Sequence, residues 1–365
     1  MIRVAIAIPT FNRLEQLRHL LRSVEAQVLP NDLQLTICVS SCASLDGTDQ
    51  YLRDYHSNFN FKYYAARDFG DDYLTCLRES GYDNGLHLLG IIDDDVDFVW
   101  FMGDDEELID KYSIFRLRSL IVSSCQQTID FISLPASPQE ENLYPQSPDH
   151  CVALANTVGF LNLFGWFSGC VVRTSFFKAA ITLAYSDYRQ SIYGVATALL
   201  KVLARCSGLR APHVLVRPQH AIQTPESALR WRQTDHEVRS FFVLRDLIGL
   251  RDVGTFSIEL KPSFFMLNGH GLWAELAKKV LMLASSEAND SASLIRLIRS
   301  LRTFNDLCKD PVFNELILST IESIIQFLRL RSLCGHGSAD VRKAASEIWS
   351  RTKVNYFYQD GVQGI

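Results

Sequence analysis

The chain has no two cysteines in a CxxC arrangement. Its nine cysteines (Cys38, Cys42, Cys76, Cys125, Cys151, Cys170, Cys206, Cys308 and Cys334) are an odd number scattered through apolar stretches. This excludes a disulfide frame or a zinc ribbon and leaves reduced, buried thiols of the kind cytoplasmic proteins carry. An excess of positive charge is also missing. With 36 Lys and Arg against 41 Asp and Glu the formal charge is −5, so no phosphate-neutralising surface is expected and nucleic acid is not an expected partner. Nor is there an uninterrupted apolar run of bilayer length. The most apolar late stretch, 312–330, is broken by Asn314, Glu315, Ser319, Glu322 and Gln326, which makes a helical stripe and not a span. The opening run Ile2 to Ile8 lacks the length of a signal h-region and a small-residue cleavage site, so no secretion is expected. A P-loop and a GxGxxG turn after the first strand are both wanting.

What is present suits a globular protein of two domains. The chain has 365 residues, 47% hydrophobic and 21% charged, against a prior of about 150 residues per domain. Ile2 to Ile8 reads as a strand, Leu14 to Val28 as a helix with Leu17, Leu20, Leu21 and Val24 on one face, and Leu33 to Val39 as a second strand. Phe61 to Ala65 gives a third strand and Leu86 to Ile92 a helical end. Phe98 to Met102 is apolar at every position, the mark of a central strand covered on both faces. The expected fold class is α/β with a doubly wound, mostly parallel sheet. A helix is expected over 108–123 and a strand over 129–134. The four prolines of 135–148 mark a loop, and helices are expected over 174–184 and 192–205. Beyond about 225 the pattern is helical. The expected division is 1–222 and an all-helical 223–365.

In a doubly wound sheet, ligands bind where strands end. The first strand ends in Pro9-Thr10-Phe11-Asn12-Arg13, the second in Ser40-Ser41-Cys42-Ala43-Ser44-Leu45-Asp46-Gly47-Thr48, and the fourth in Gly103-Asp104-Asp105-Glu106-Glu107. Carboxylates crowded at a buried strand end repel one another, and a bound divalent cation would offset that cost. Glu106 and Glu107 read instead as the acidic first turn of a helix. The acidic run Asp93 to Asp97 precedes the fourth strand and reads as a solvated turn facing away from the site.

The opening Val4-Ala5-Ile6-Ala7-Ile8-Pro9-Thr10-Phe11-Asn12-Arg13 resembles the start of the family 2 glycosyltransferases of GT-A fold. Trp100-Phe101-Met102-Gly103-Asp104-Asp105 resembles the strand carrying the metal-binding DXD motif, in the form of the abequosyltransferase-like branch. The likeness covers roughly residues 2 to 220. It implies inverting transfer from a nucleotide-diphosphate sugar, assisted by Mn²⁺ or Mg²⁺, to a saccharide or lipid-linked acceptor. On that resemblance Pro9, Thr10 and Arg13 line the nucleotide pocket and Ser41 stands where the family has an Asp on the base. Arg67 approaches the diphosphate, and Gly81-Tyr82-Asp83-Asn84 looks like the family's Gly-x-Asp-x-Asn turn. Asp105 is the second acid of DXD. Gly103 stands in place of the first, so Asp104 must supply any second carboxylate to the metal. The general base is Asp187, the one acid between Asp149 and Glu226, and its alternative is a helix cap. Trp166-Phe167-Ser168-Gly169-Cys170 matches the acceptor-side segment, or else is buried aromatic core. His213 and His220 are left outside the site. The stripe at 312–330 is open to three readings: core packing, self-association, or peripheral contact with the inner face of a membrane bearing the acceptor.

Overall fold

The structure, a computed structural model, describes residues 1–42, 44–66, 84–123, 129–140, 148–189, 191–219, 242–267 and 270–271. It divides into two compact units: Met1–Arg189 with Tyr193–Ile222 and Gly249–Phe264, and Gln190–Ile192 with Gln223–Ile248 and Phe265–Ile365. The expected helices beyond 271, including 312–330, lie outside the described residues, as do Arg67, Asp83 and His220.

The chain opens with strand β1 (Ile2–Thr10), helix α1 (Leu14–Glu25), β2 (Leu33–Cys42), α2 (Thr48–Asp54), β3 (Asn60–Ala66) and a helix, α3, over 84–91. There follow β4 (Phe98–Phe101), β5 (Glu106–Leu108), α4 (Ser113–Ser123), β6 (Phe131–Ser133) and β7 (Asp149–His150). Then come α5 (Cys151–Val158), α6 (Phe160–Phe164), β8 (Cys170–Arg173), α7 (Thr174–Asp187), α8 (Gly194–Leu203), β9 (Ser207–Arg210), β10 (Val216–Pro218) and α9 (Phe242–Asp252).

Eight strands form one sheet in the order β3-β2-β1-β4-β8-β6-β9-β7. Strands β1 to β4 pair parallel, as do β6 and β9, while β8 runs antiparallel to both β4 and β6. The mostly parallel α/β sheet expected from the apolar runs is therefore present. Every side chain of β4 is buried, and Trp100 is wholly inside. Helix α1 lays Leu17, Leu20, Leu21 and Val24 on the sheet, each worth roughly 1.5–3 kcal/mol when fully buried.

One expectation is corrected. Glu106 and Glu107 do not open a helix. They lie in β5, which pairs antiparallel with β10 (Pro218 opposite Glu106, Val216 opposite Leu108), and the helix begins only at Ser113. The segment Leu161 to Val172 comprises most of α6, a short turn over Phe167–Gly169 and most of β8. The acidic run before β4 is the expected solvated turn, and it also makes ion pairs. Asp95 pairs with Arg3 of β1, Asp93 with Lys62 of β3 and Asp94 with Lys178 of α7, so it ties the amino edge of the sheet together. Each pair is solvent-facing and worth under about 1 kcal/mol.

Gly249–Phe264 also belongs to the first unit. Asn156 of α5 donates to the Glu259 carbonyl at 2.8 Å and accepts from Lys261 N at 2.9 Å. Phe160 stacks on Phe264 at 5.6 Å.

Candidate active site

The parallel register sets Thr10 beside Ser41 and Pro9 beside Ser40, and Met102 N donates to Ala7 O at 2.9 Å. The ends of β1, β2 and β4 thus share one edge. The turn after β1 is sharp. Asn12 adopts φ 51°, which Asn tolerates better than most residues. Its backbone N–H donates to Ser44 Oγ (3.0 Å) and its Oδ1 accepts from Leu45 N (2.6 Å). Asp46 caps two helices at once. Its Oδ2 accepts from Leu14 N (2.8 Å) at the start of α1, and its Oδ1 accepts from Thr48 N (3.2 Å) and Thr48 Oγ1 (2.6 Å) at the start of α2, meeting N–H groups the helices leave unpaired. Gly47, at φ 89°, makes the turn between them without a Cβ penalty.

This turn sends Arg13 back over the edge. Its Nη1 lies 2.9 Å from Asp104 Oδ1 and 2.8 Å from Asp105 Oδ2, and Thr10 Oγ1 donates to Asp104 Oδ2 at 2.8 Å. Four of the residues named from the sequence, Thr10, Arg13, Asp104 and Asp105, therefore meet in one cluster. Burial would lower the Arg13 guanidinium, but the two carboxylates outweigh it and hold it above its ordinary value. Burial pushes the Asp104 carboxyl up, Arg13 pulls it back, and Asp105 adds to the rise. The pair is best read as charged, since both Asp104 oxygens accept hydrogen bonds.

The two acids are not equivalent toward a cation. Both Asp104 oxygens are committed, to Arg13 and to Thr10. Asp105 has a side chain 44% exposed, and one of its oxygens remains outside the Arg13 contact. Among the described residues no group of three or more His, Cys, Asp or Glu could hold a metal ion. This donor set fits a cation that brings phosphate and water ligands of its own, as Mg²⁺ usually does. It does not fit a resident ion in a protein cage. Gly103 is no vacant ligand position either: a Cβ there would meet Asp105 Oδ1 at 2.9 Å.

Sequence reasoning missed the second ring of the site. Asn84, at the start of α3, donates to Thr10 O and accepts from Ser40 Oγ, both at 2.9 Å. Gln219 grips the acidic turn from β10: its N–H donates to Asp105 O at 2.8 Å and its Nε2 to Glu106 O at 2.6 Å. Glu107 is held below the usual carboxylate range by His19 and Arg217, although its burial acts the other way. Glu106 is the reverse. Burial pushes it up to about 7, Asp105 and Asp104 add to this, and hydrogen bonds from Trp166 and Ser168 oppose it. Its neighbour in sequence reads alike, and only the partners differ. Ser41 does not stand alone in place of an acid: its hydroxyl meets Asp49 Oδ1 at 2.5 Å and Ser44 Oγ at 3.0 Å.

Asp187 is the last residue of α7 and not the cap of the next helix. It is exposed, with Ser186 Oγ donating to Oδ1 at 2.7 Å and Lys201 Nζ in a loose ion pair with Oδ2 at 3.7 Å. Helix α7 starts at the amino edge of the sheet, where Thr174 N donates to Asp97 O. It runs against α3: Lys178 reaches the Ile92 carbonyl, and a Cβ on Gly85 would meet Ile181 Cγ2 at 3.4 Å. Asp187 lies six residues further along the same helix, and its partners are Ser186 and Lys201 rather than any residue of the Arg13 cluster. His213 is exposed.

No protein-family model matches the chain. A curated relative, the abequosyltransferase RfbV of Salmonella typhimurium (strain LT2), is 32% identical over 123 residues, 33% of this chain and 33% of its own. The match thus spans about a third of that relative's length. Among solved structures the chain is similar to S. aureus TarS residues 1–349, at 15% identity and TM-score 0.52, over 98% of this chain and 93% of that one. It is similar also to the same TarS fragment in complex with UDP-GlcNAc, at 13% identity and TM-score 0.52, over 96% and 92%. The chain has this fold, and its sequence is similar to an abequosyltransferase, as the two strand-end motifs implied. Among the described residues no helix is long and apolar enough to cross a membrane.

Proposed function

We propose that the chain is a glycosyltransferase that moves a sugar, with inversion, from a nucleotide-diphosphate donor to a saccharide or lipid-linked acceptor in surface glycan synthesis. The observation that carries this reading is the Thr10–Arg13–Asp104–Asp105 cluster at the shared ends of β1 and β4, in a chain whose relative is an abequosyltransferase.

In this reading the edge formed by Pro9, Thr10, Arg13 and Ser41 receives the nucleotide, with Arg67 and Asp83 beside it. Arg13 presents fixed positive charge where a diphosphate would lie, and Asp104 keeps that charge in place. Asp105 is the ligand to Mn²⁺ or Mg²⁺ and Asp104 its charged neighbour. When bound, the cation neutralises the charge that develops on the departing diphosphate. Asp187 takes the proton of the acceptor hydroxyl as that oxygen attacks. Residues 1–222 form the catalytic domain, and 223–365 serve self-association, acceptor binding or contact with the inner face of a membrane, in a cytoplasmic protein.

Incubation with a panel of UDP-, GDP-, CDP- and dTDP-sugars and Mn²⁺, read as release of free nucleotide, tests the reading. Turnover that Asp105→Asn abolishes supports it. Asp187→Asn should stop transfer and leave donor binding intact, since the base acts on the acceptor. A second reading is an inactive binding or scaffold subunit with the same fold. It is favoured by the commitment of both Asp104 oxygens to Arg13 and Thr10, and it would be adopted if every donor bound and none turned over.

A further inference from the structure

Glu106 is almost wholly buried, at 6% exposure, in a strand whose pattern would accept an apolar residue. Its Oε1 accepts from Trp166 Nε1 at 2.8 Å and from Ser168 Oγ at 3.1 Å. Its Oε2 is buried with no hydrogen-bond partner. A carboxyl group with one orphaned oxygen is costly to keep, and an apolar side chain of similar volume is often neutral or stabilising in such a place. Stability does not explain its presence.

Its partners do. Ser168 Oγ also accepts from Gly103 N at 3.0 Å, and Ser168 O accepts from Trp100 Nε1 at 2.8 Å. The Trp166 ring lies so close over Gly169 that a Cβ there would meet its edge at 2.7 Å. Phe167 packs on Phe101 at 5.4 Å between ring centres. A chain of bonds thus runs from Gly103, next to Asp104 and Asp105, through Ser168 and Glu106 to the half-buried indole of Trp166. An indole face is a natural platform for the C–H face of a sugar ring, because its quadrupole is negative there.

We propose that Glu106 is a positioning residue: it aims the Trp166 indole toward the acceptor sugar and ties that platform to the turn carrying the acidic pair. The proposal rests on the glycosyltransferase reading. Glu106 touches no substrate and acts through Trp166.

The test uses the full chain labelled with 5-fluorotryptophan, with the Trp166 ¹⁹F resonance identified by its loss in Trp166→Phe. Glu106→Gln keeps an oxygen that can accept both bonds, and the resonance should stay in place. Glu106→Leu removes both bonds and should move it. If Glu106→Leu fails to fold, Glu106→Asp, too short to reach both donors, takes its place. In kinetics Glu106→Leu should raise the acceptor KM tenfold or more while donor hydrolysis to water changes less than threefold, and Glu106→Gln should restore the acceptor KM. An unmoved resonance in Leu and Asp variants, or donor hydrolysis that falls in step with transfer, would overturn the proposal. A wild type that turns over no sugar nucleotide sinks the glycosyltransferase reading instead, and the ¹⁹F resonance then decides by itself whether Glu106 holds the indole.

Discussion

Arg13 and Asp104, 91 residues apart in the chain, form an ion pair of 2.9 Å in which both side chains are largely buried, at 15% and 7% exposure. Removing one member of such a pair leaves an uncompensated buried charge, at a cost of about 3–5 kcal/mol. Arg13→Ala should lower the stability from urea unfolding by about that amount. The loss should shrink toward pH 4, because without Arg13 the Asp104 carboxyl protonates readily. Arg13→Lys, which keeps the charge, should lose less. A loss that is the same at pH 4 and pH 7 would mean that Asp104 is not charged in the wild type.

Asp105 is the exposed member of the acidic turn, and its change to Asn exchanges a carboxylate for an isosteric amide. The variant should melt within a few degrees of wild type when free. Wild type should gain thermal stability from UDP with Mn²⁺, and the variant should not, because a ligand that no longer binds the native state no longer shifts its melting. An equal shift in both proteins would remove Asp105 from the cation's ligands.

The glycine before the two acids makes an unusual forecast. Restoring an acid at that place by Gly103→Asp should not strengthen nucleotide binding. A Cβ at 103 would meet Asp105 Oδ1 at 2.9 Å, and the carboxylate that must shift is the one that holds Arg13 through its Oδ2. Gly103→Ala should therefore keep its fold, with stability changed by about 1 kcal/mol or less, yet weaken UDP binding with Mn²⁺ in calorimetry. Undiminished binding by Gly103→Ala would show that the turn has room to spare.

The parts of the site that could be read in the sequence are those fixed locally. The apolar run of β1, the 3.6-residue spacing of α1 and the unbroken burial of β4 follow from pattern, and the residues just beyond each strand follow from them. The acidic pair Asp104 and Asp105 was found that way, and Thr10 and Arg13 through the family resemblance of the first strand end. Glu106 was not, because two consecutive acids before an apolar helix look like its first turn, and the pairing with Pro218 that makes them a strand lies over a hundred residues away. Strand β9 carries Ser207, Gly208 and a buried Arg210, none of which has the marks of a strand. Arg210 is held there by Ser133 and Glu140, which no local pattern announces. The double capping by Asp46 likewise depends on two chain segments meeting.

Thiol chemistry is expected to be silent at two positions. Burial pushes both Cys38 and Cys170 up to about 12, so at pH 8 the nucleophilic thiolate is scarce as well as shielded. Iodoacetamide applied to the native protein at pH 8 should leave the peptides bearing Cys38 and Cys170 unmodified in mass spectrometry, and prior unfolding should expose them. Rapid native labelling of either would contradict the burial.

In α9, burial pushes Asp246 up to about 6, against the opposing bond from Arg245. An unfolded Asp titrates near 3.9. Between these values the native state holds a proton that the unfolded chain has lost, so this group's contribution is full below about pH 4 and is lost as pH rises toward 6. Asp246→Asn should remove that slope. Its urea midpoint relative to wild type should rise between pH 4 and 6 and level off above. Parallel curves would show that Asp246 is ionised throughout.

The reversed direction of β8 turns α7 into a ruler. Because β8 leaves the sheet at the amino edge, α7 starts there, and its 14 residues rise about 20 Å at 1.5 Å each before Asp187. Removing or adding a single turn would lower or raise it by about 5 Å, so on the role proposed for Asp187 as the base, its reach toward the acceptor can be retuned without touching the half of the fold that holds Arg13 and Asp104.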